Sequence, residues 1–212
     1  MVAAPTASLA SGEDDSTKRR QILDGASKIF MDLGFDGASM GEIARASGVS
    51  KGTLYVYFAD KNRLFEAIVE RTAIEQGKVL FNLDPARDVP TTLRDFGRTH
   101  VQMICQPEEG SAIRTVMAIA ERMPDVGRRF YERVIDNRIS GLARYLDAHV
   151  KPGDLAIEDC KLAAAQFIQV CQASLFLPFI FQAATPPSPE RMAHVVESAT
   201  QMFLAAYRVK PV

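Results

Sequence analysis

Cysteine is scarce in this 212-residue chain, and Cys105, Cys160 and Cys171 stand far apart with no CxxC pair and no Cys/His spacing. That pattern points away from a disulfide framework and from a metal site. Each reads as a small buried apolar side chain. The sharper alternative, a redox sensor, needs an exposed thiol of low pKa. Long apolar runs are missing as well. The longest, Leu175–Phe181, contains Pro178 and falls far short of the ~18 residues of a bilayer span. Residues 1–15 lack the basic-then-apolar order of a secretory leader. Rich in Ala, Ser, Gly and acidic residues without apolar period, they read as a flexible N-terminal arm. The expected location is therefore cytoplasmic.

The chemistry of an enzyme is equally hard to find. His100, His149 and His194 are isolated, no Gly-rich phosphate loop appears, and no carboxylate pair stands out. The expectation is a protein without catalytic residues, metal or cofactor. A large excess of one charge is absent too, since the net charge is −1. Its distribution is uneven: Ser16 to Arg63 holds eight Lys/Arg against five Asp/Glu, an excess of three. A small basic module on a neutral body suits local contact with phosphates.

What is abundant is helix period, with apolar residues at 47% of the chain to bury. Ile22, Leu23, Ala26, Ile29, Phe30 and Leu33 fall on one helical stripe, and Gly34 followed by Phe35 supplies a left-handed stop. Ser39 with Glu42 is a capping box that opens a short helix, Gly41 to Ala46. Ser47-Gly48-Val49 is a tight turn, Ser50 opens a second short helix carrying Lys51–Tyr57, and Asp60 caps a longer one. Pro85 and Pro90 then break the chain. Further helical patterns cover Thr91–Cys105, Ser111–Arg122, Asp125–His149, Ala156–Phe181 and Ser188–Tyr207. No period-two strand pattern competes. The expected fold is all-α with about nine helices, divided as the arm 1–15, a three-helix head 16–65 and a helical body 66–212.

The head can be derived as a reading device. Ile43, Ala44, Val49 and Leu54 supply the apolar contacts that fix the crossing of two short helices, and Phe58 joins the core. Lys51, Gly52, Thr53, Tyr55, Val56 and Tyr57 are left to face outward near an N-terminus that can enter a major groove. The tyrosine hydroxyls can donate to phosphate, and Lys61 adds a cation behind them. Lys18, Arg19 and Arg20 read either as a solvated first turn or as further phosphate contacts.

Ser39-Met40-Gly41-Glu42-Ile43-Ala44 and Gly48-Val49-Ser50-Lys51-Gly52-Thr53-Leu54-Tyr55-Val56-Tyr57-Phe58-Ala59-Asp60-Lys61 closely resemble the DNA-binding domain of the TetR family of bacterial transcriptional repressors. The body, through Ala120–Pro124 and Phe130-Tyr131, resembles the AcrR- or AefR-like branches. This resemblance implies a homodimer on a palindromic double-stranded operator, at the bacterial nucleoid, with the two heads about 34–36 Å or a multiple apart. It implies that Tyr55, Tyr57 and Lys61 hold phosphates, that Ser39 caps its helix against one, and that Lys51, Thr53 and Arg45 read bases. Gly41 and Val56 depart from what relatives often carry, so base reading should be sparse and lean on DNA shape.

The body is expected to sense and to dimerise. Phe96, His100, Met103, Ile104, Met117, Ala120, Met123, Phe167 and Cys171 are the candidates to line a pocket for a small apolar or aromatic effector. Leu162, Ile168, Leu175, Phe179, Val195, Ala199, Met202 and Phe203 on the last two long helices are the candidates for a dimer interface. The alternative is a small-molecule-binding or scaffolding protein with a vestigial head.

Overall fold

In the computed structural model, which describes residues 8–80 and 83–209, the chain is built of helices. They are α1 (Ser8–Gly37), α2 (Met40–Ala46), α3 (Lys51–Tyr57), α4 (Lys61–Leu80), α5 (Val89–Ile104), α6 (Pro107–Ile119), α7 (Pro124–Phe130), a π-helical segment (Tyr131–Asp136), α8 (Asn137–Val150), α9 (Cys160–Gln172), α10 (Phe176–Ile180) and α11 (Pro189–Tyr207). Among the described residues the only β pairing is one isolated antiparallel bridge, Leu155 with Arg208. No described helix is long and apolar enough to cross a membrane.

The chain divides into two compact units, Met1–Arg71 and Thr72–Val212, with α4 contributing residues to both. The sequence reading placed the division between 65 and 66. It also placed an arm over 1–15, of which 1–7 lie outside the described residues while α1 begins at Ser8. Within α1, Gly34 takes φ 69° and ψ 176°, a non-helical conformation at the predicted stop.

In the first unit most of the expected stripe is core, while Ile29 is half-buried and Leu33 is 47% exposed. Ile22, Leu23, Ala26 and Phe30 are buried with Ile43, Ala44, Leu54, Phe58, Leu64 and Phe65. Each large side chain removed from water stabilises the unit by roughly 1.5–3 kcal/mol. Phe65 meets Phe30 and Phe35 edge-on, with ring centroids 5.2 and 5.4 Å apart. Gly25 lets α1 and Ser47 approach so closely that a Cβ there would lie 2.7 Å from the Ser47 backbone nitrogen.

In the second unit α5, α8, α9 and α11 close around Leu93, Phe96, Leu142, Leu146, Phe167, Cys171 and Phe203. Two predicted helices differ here. The pattern Ala156–Phe181 starts as helix only at Cys160, where Asp159 caps it by accepting from the Lys161 and Leu162 amides at 3.0 and 2.9 Å. Before it, Leu155 and Ile157 are buried while Ala156 and Glu158 are exposed, an extended alternation held by Ala156 N–H to the Tyr207 carbonyl at 2.8 Å. The same pattern breaks again at Ser174, whose φ is 60°. The pattern Asp125–His149 is helical throughout, but its middle turns are π rather than α.

Candidate nucleic-acid interface and internal cavity

Both short helices of the head are started by serine side chains. The Ser39 hydroxyl accepts from the Glu42 amide at 3.2 Å, while the Ser39 amide and hydroxyl donate to Glu42 Oε2 at 3.0 and 2.7 Å. Those bonds hold the Glu42 carboxyl below its ordinary pKa. Ser50 repeats the device on α3, accepting from the Thr53 amide at 3.0 Å with the two hydroxyls 2.8 Å apart. Between the helices Gly48 takes φ 63°, the left-handed conformation that glycine adopts without steric cost. Its amide bonds the Arg45 carbonyl, and the Val49 amide bonds the Ala44 carbonyl. Gln21 of α1 clamps the turn from outside by donating to the Ser47 carbonyl at 2.6 Å.

With Leu54 fully buried beneath it, α3 turns one side outward. Lys51, Gly52, Tyr55 and Val56 are exposed, Val56 at 83%, and Thr53 and Tyr57 are half-buried. Arg45 of α2 is exposed as well. Offsets of 0, 1, 4 and 5 residues put the four α3 positions on a single helical face. Of the side chains that sequence reasoning assigned to DNA, Arg45, Lys51, Tyr55 and Val56 are thus exposed on a scaffold fixed from behind.

Lys61 is placed differently from the expectation. Its ammonium donates to the carbonyls of Phe35 and Ala38 at 2.6 and 2.9 Å and lies 4.5 Å over the Phe35 ring. It clasps the α1–α2 connection, an arrangement spanning more than twenty residues that no local pattern announces. Arg19 likewise leans on the head's own core, its guanidinium 5.4 Å from the Phe58 ring.

The second unit holds a cavity of about 610 Å³. Ile104, Ile113, Val116, Phe130, Val134, Ile139 and Ile168 make its apolar wall, and His100, Arg138, Gln169, Gln172 and Ser174 interrupt it. Of the predicted lining residues, His100, Ile104, Met117 and Ala120 are there. Phe96, Phe167 and Cys171 are instead buried in the core beside it, because Met- and Phe-rich helical stripes mark burial without saying which face meets a void. Met103 stands behind the wall, its Sδ accepting from Arg138 Nη2 at 3.3 Å, and Met123 precedes α7. His100 stacks on Phe96 with centroids 6.1 Å apart, and its Nε2 lies 2.9 Å from Gln172 Nε2. Burial, and then the neighbouring Arg138 charge, push its pKa down to about 3, so the imidazole is neutral. Its Nδ1 is buried without a hydrogen-bond partner.

The dimer candidates divide. Leu162 and Met202 are 54% and 59% exposed and Val195 is half-buried. Leu175, Phe179, Ala199 and Phe203 are buried within the single chain, and Ile168 lines the cavity, so these five are not left for a partner to cover. The thiols are the reverse of a sensor's: burial raises Cys105 to about 11 and Cys171 to about 12.

Two family models match. Residues 22–68 fit the model for bacterial regulatory proteins of the tetR family, and residues 91–209 fit that for the C-terminal domain of AefR-like transcriptional repressors. The HTH-type transcriptional repressor Rv1474c of Mycobacterium tuberculosis is 30% identical over 121 residues, 56% of this chain and 59% of that protein. The chain spans between 39% and 62% of the length of the first curated relatives it matches. Among solved structures, one from Mesorhizobium loti described as a TetR-family transcriptional regulator superposes with TM-score 0.86 at 27% identity, covering 92% of this chain and 98% of that one. The flavonoid-responsive regulator FrrA superposes with TM-score 0.78 at 26% identity over 92% of this chain and all of that one.

Proposed function

This chain belongs to the TetR family of bacterial transcriptional regulators, and from that premise we propose that it is a repressor released from a palindromic operator when an effector fills its cavity. The observation that carries the reading is the exposed α3 face, Lys51, Gly52, Tyr55 and Val56, mounted over the buried Leu54. Lys51 and Thr53 are assigned to base edges with Arg45 in support, and Tyr55 and Tyr57 to phosphates. Val56 can offer a thymine methyl only apolar contact. Ser39 spends its hydroxyl proton on Glu42, so its share in phosphate binding comes from the helix end it organises. Repression rather than activation rests on the C-terminal family match.

Two copies supply two reading helices. The face of α9 and α11 that carries Leu162, Val195 and Met202 is the surface we assign to pairing. The cavity is the effector site, and its size falls in the range of small-molecule pockets. Its lining supports an effector with a large apolar body, and FrrA's response to flavonoids is in keeping with an aromatic one. Operator release follows from linkage: an effector that favours one conformation of the chain must weaken DNA binding if that conformation binds DNA worse. Residues of α4 belong to both units, so this helix is the covalent route for the coupling.

The test is selection from a random duplex library with the purified full chain. The reading predicts enrichment of one inverted repeat with half-sites one helical turn or a multiple apart. Recovery of no common sequence would leave a small-molecule-binding protein with an inert head.

A further inference from the structure

Val56 is the most exposed large apolar side chain among the described residues, and it stands on the outward face of α3. Folding supplies no reason for it. With 83% of its surface open, the isopropyl group covers almost nothing in this chain, and β-branching makes valine a weaker helix former than alanine or lysine. The same branching holds it in one dominant helical rotamer, so little freedom is lost when the group is seated against a partner. Gly52 lies one turn earlier on the same strip of helix, and a Cβ there would meet only Ser50 Oγ, at 3.8 Å. The strip therefore carries one projecting group, the isopropyl, beside an open space that lets another surface come close. Lys51 and Tyr55, exposed on the same face, supply polar ends around it.

We propose that Val56 reads the C5-methyl group of a pyrimidine in the major groove, so that operator binding responds to base methylation at one step of each half-site. This rests on α3 being the reading helix and goes past it by naming the chemical group that is read. The groove floor presents acceptors, donors and one kind of apolar group, the methyl of thymine. A side chain without polar atoms gains only from that group. Set against a donor or an acceptor, it would strip away water and return no bond. The methyl, not the base pair, is then the recognised unit. A cytosine methylated at C5 presents the same group at the same place in the groove. Methylation of a cytosine at that step therefore raises operator affinity, and uracil, which is thymine without the methyl, lowers it.

The experiment titrates the full chain against the operator recovered from the random duplex library. Each thymine of a half-site is replaced in turn by deoxyuridine and each cytosine by 5-methylcytosine, which changes one methyl and leaves every hydrogen-bonding group in place. The expected result is one pyrimidine per half-site whose methylated form binds about three- to tenfold more tightly, the size of a single buried methyl contact. Changing both half-sites multiplies the two effects. In Val56→Ala the methylated and unmethylated operators bind within about twofold of each other, while Lys51→Met weakens both and keeps their ratio. Val56→Thr, which retains one methyl group, keeps part of the preference. Circular dichroism of Val56→Ala is expected to match wild type, because the side chain lies outside the core. Two results overturn the inference: no pyrimidine whose methyl matters to the unsubstituted chain, or a methyl preference that persists undiminished in Val56→Ala. Either would leave α3 as the reading helix. Recovery of no common sequence from the library overturns that assignment and the methyl inference together.

Discussion

The ammonium of Lys61 lies 2.6 Å from the carbonyl oxygen of Phe35 and 4.5 Å above the ring of the same residue. One side chain thus holds both the backbone and the aromatic face at the end of α1. The bond to Ala38 at 2.9 Å ties in the residue just before the Ser39 cap, so the entry to α2 is set from the start of α4.

Lys61 and Lys51, both lysines of the recognisable motif, should therefore separate in experiment. Lys61→Met removes charge-assisted bonds and is expected to lower the stability of the head by about 1–3 kcal/mol in urea denaturation. Lys51→Met alters an exposed side chain and should change stability by less than about 0.5 kcal/mol, while operator affinity falls and discrimination at the base pair it reads relaxes by about 1–3 kcal/mol. Equal stability losses in the two variants would remove the distinction.

His100 predicts an acid-sensitive second unit. Its folded pKa of about 3 lies below the ordinary histidine value of 6.5, so between those limits the unfolded chain binds the extra proton. Stability from this group is full above 6.5 and is lost as pH falls toward 3. Between pH 6.5 and 5 the wild type should lose about 2 kcal/mol more than His100→Gln, measured by denaturant unfolding at each pH. Parallel pH profiles for the two proteins would show that His100 titrates normally.

A Leu162→Glu, Met202→Glu double substitution places charges on two side chains that are more than half exposed in the single chain. The expected outcome in sedimentation is a folded monomer in place of a dimer, with helix content unchanged. A dimer of wild-type affinity would move the interface elsewhere, and the exposed Leu177 and Phe181 are the next apolar surface to examine.

Features made within one turn of chain were legible in the sequence. The Ser39–Glu42 box, the Ser50 cap and the positive φ of Gly48 all stand where residue type and spacing placed them, because each is a bond between near neighbours. What the sequence hid depends on distant partners or on register. Lys61 reads as a surface cation until the Phe35 carbonyl is found beside it. The burial of Arg138 had no local signal, because the π segment just before it changes the residues per turn and 3.6-period bookkeeping slips there. Phe203 and Leu175 were apolar at helical spacing, which announces burial but cannot say whether a neighbour in the same chain or a second copy covers them.

The claim that α3 is the reading head is tested most directly by Lys51→Glu, titrated against the selected operator at fixed salt beside wild type, with circular dichroism confirming the fold. The account predicts operator affinity lowered by about two orders of magnitude or more, since a base-reading cation becomes an anion inside a groove walled by phosphates, with the helix signal intact. A folded Lys51→Glu protein that binds the operator as tightly as wild type would contradict it.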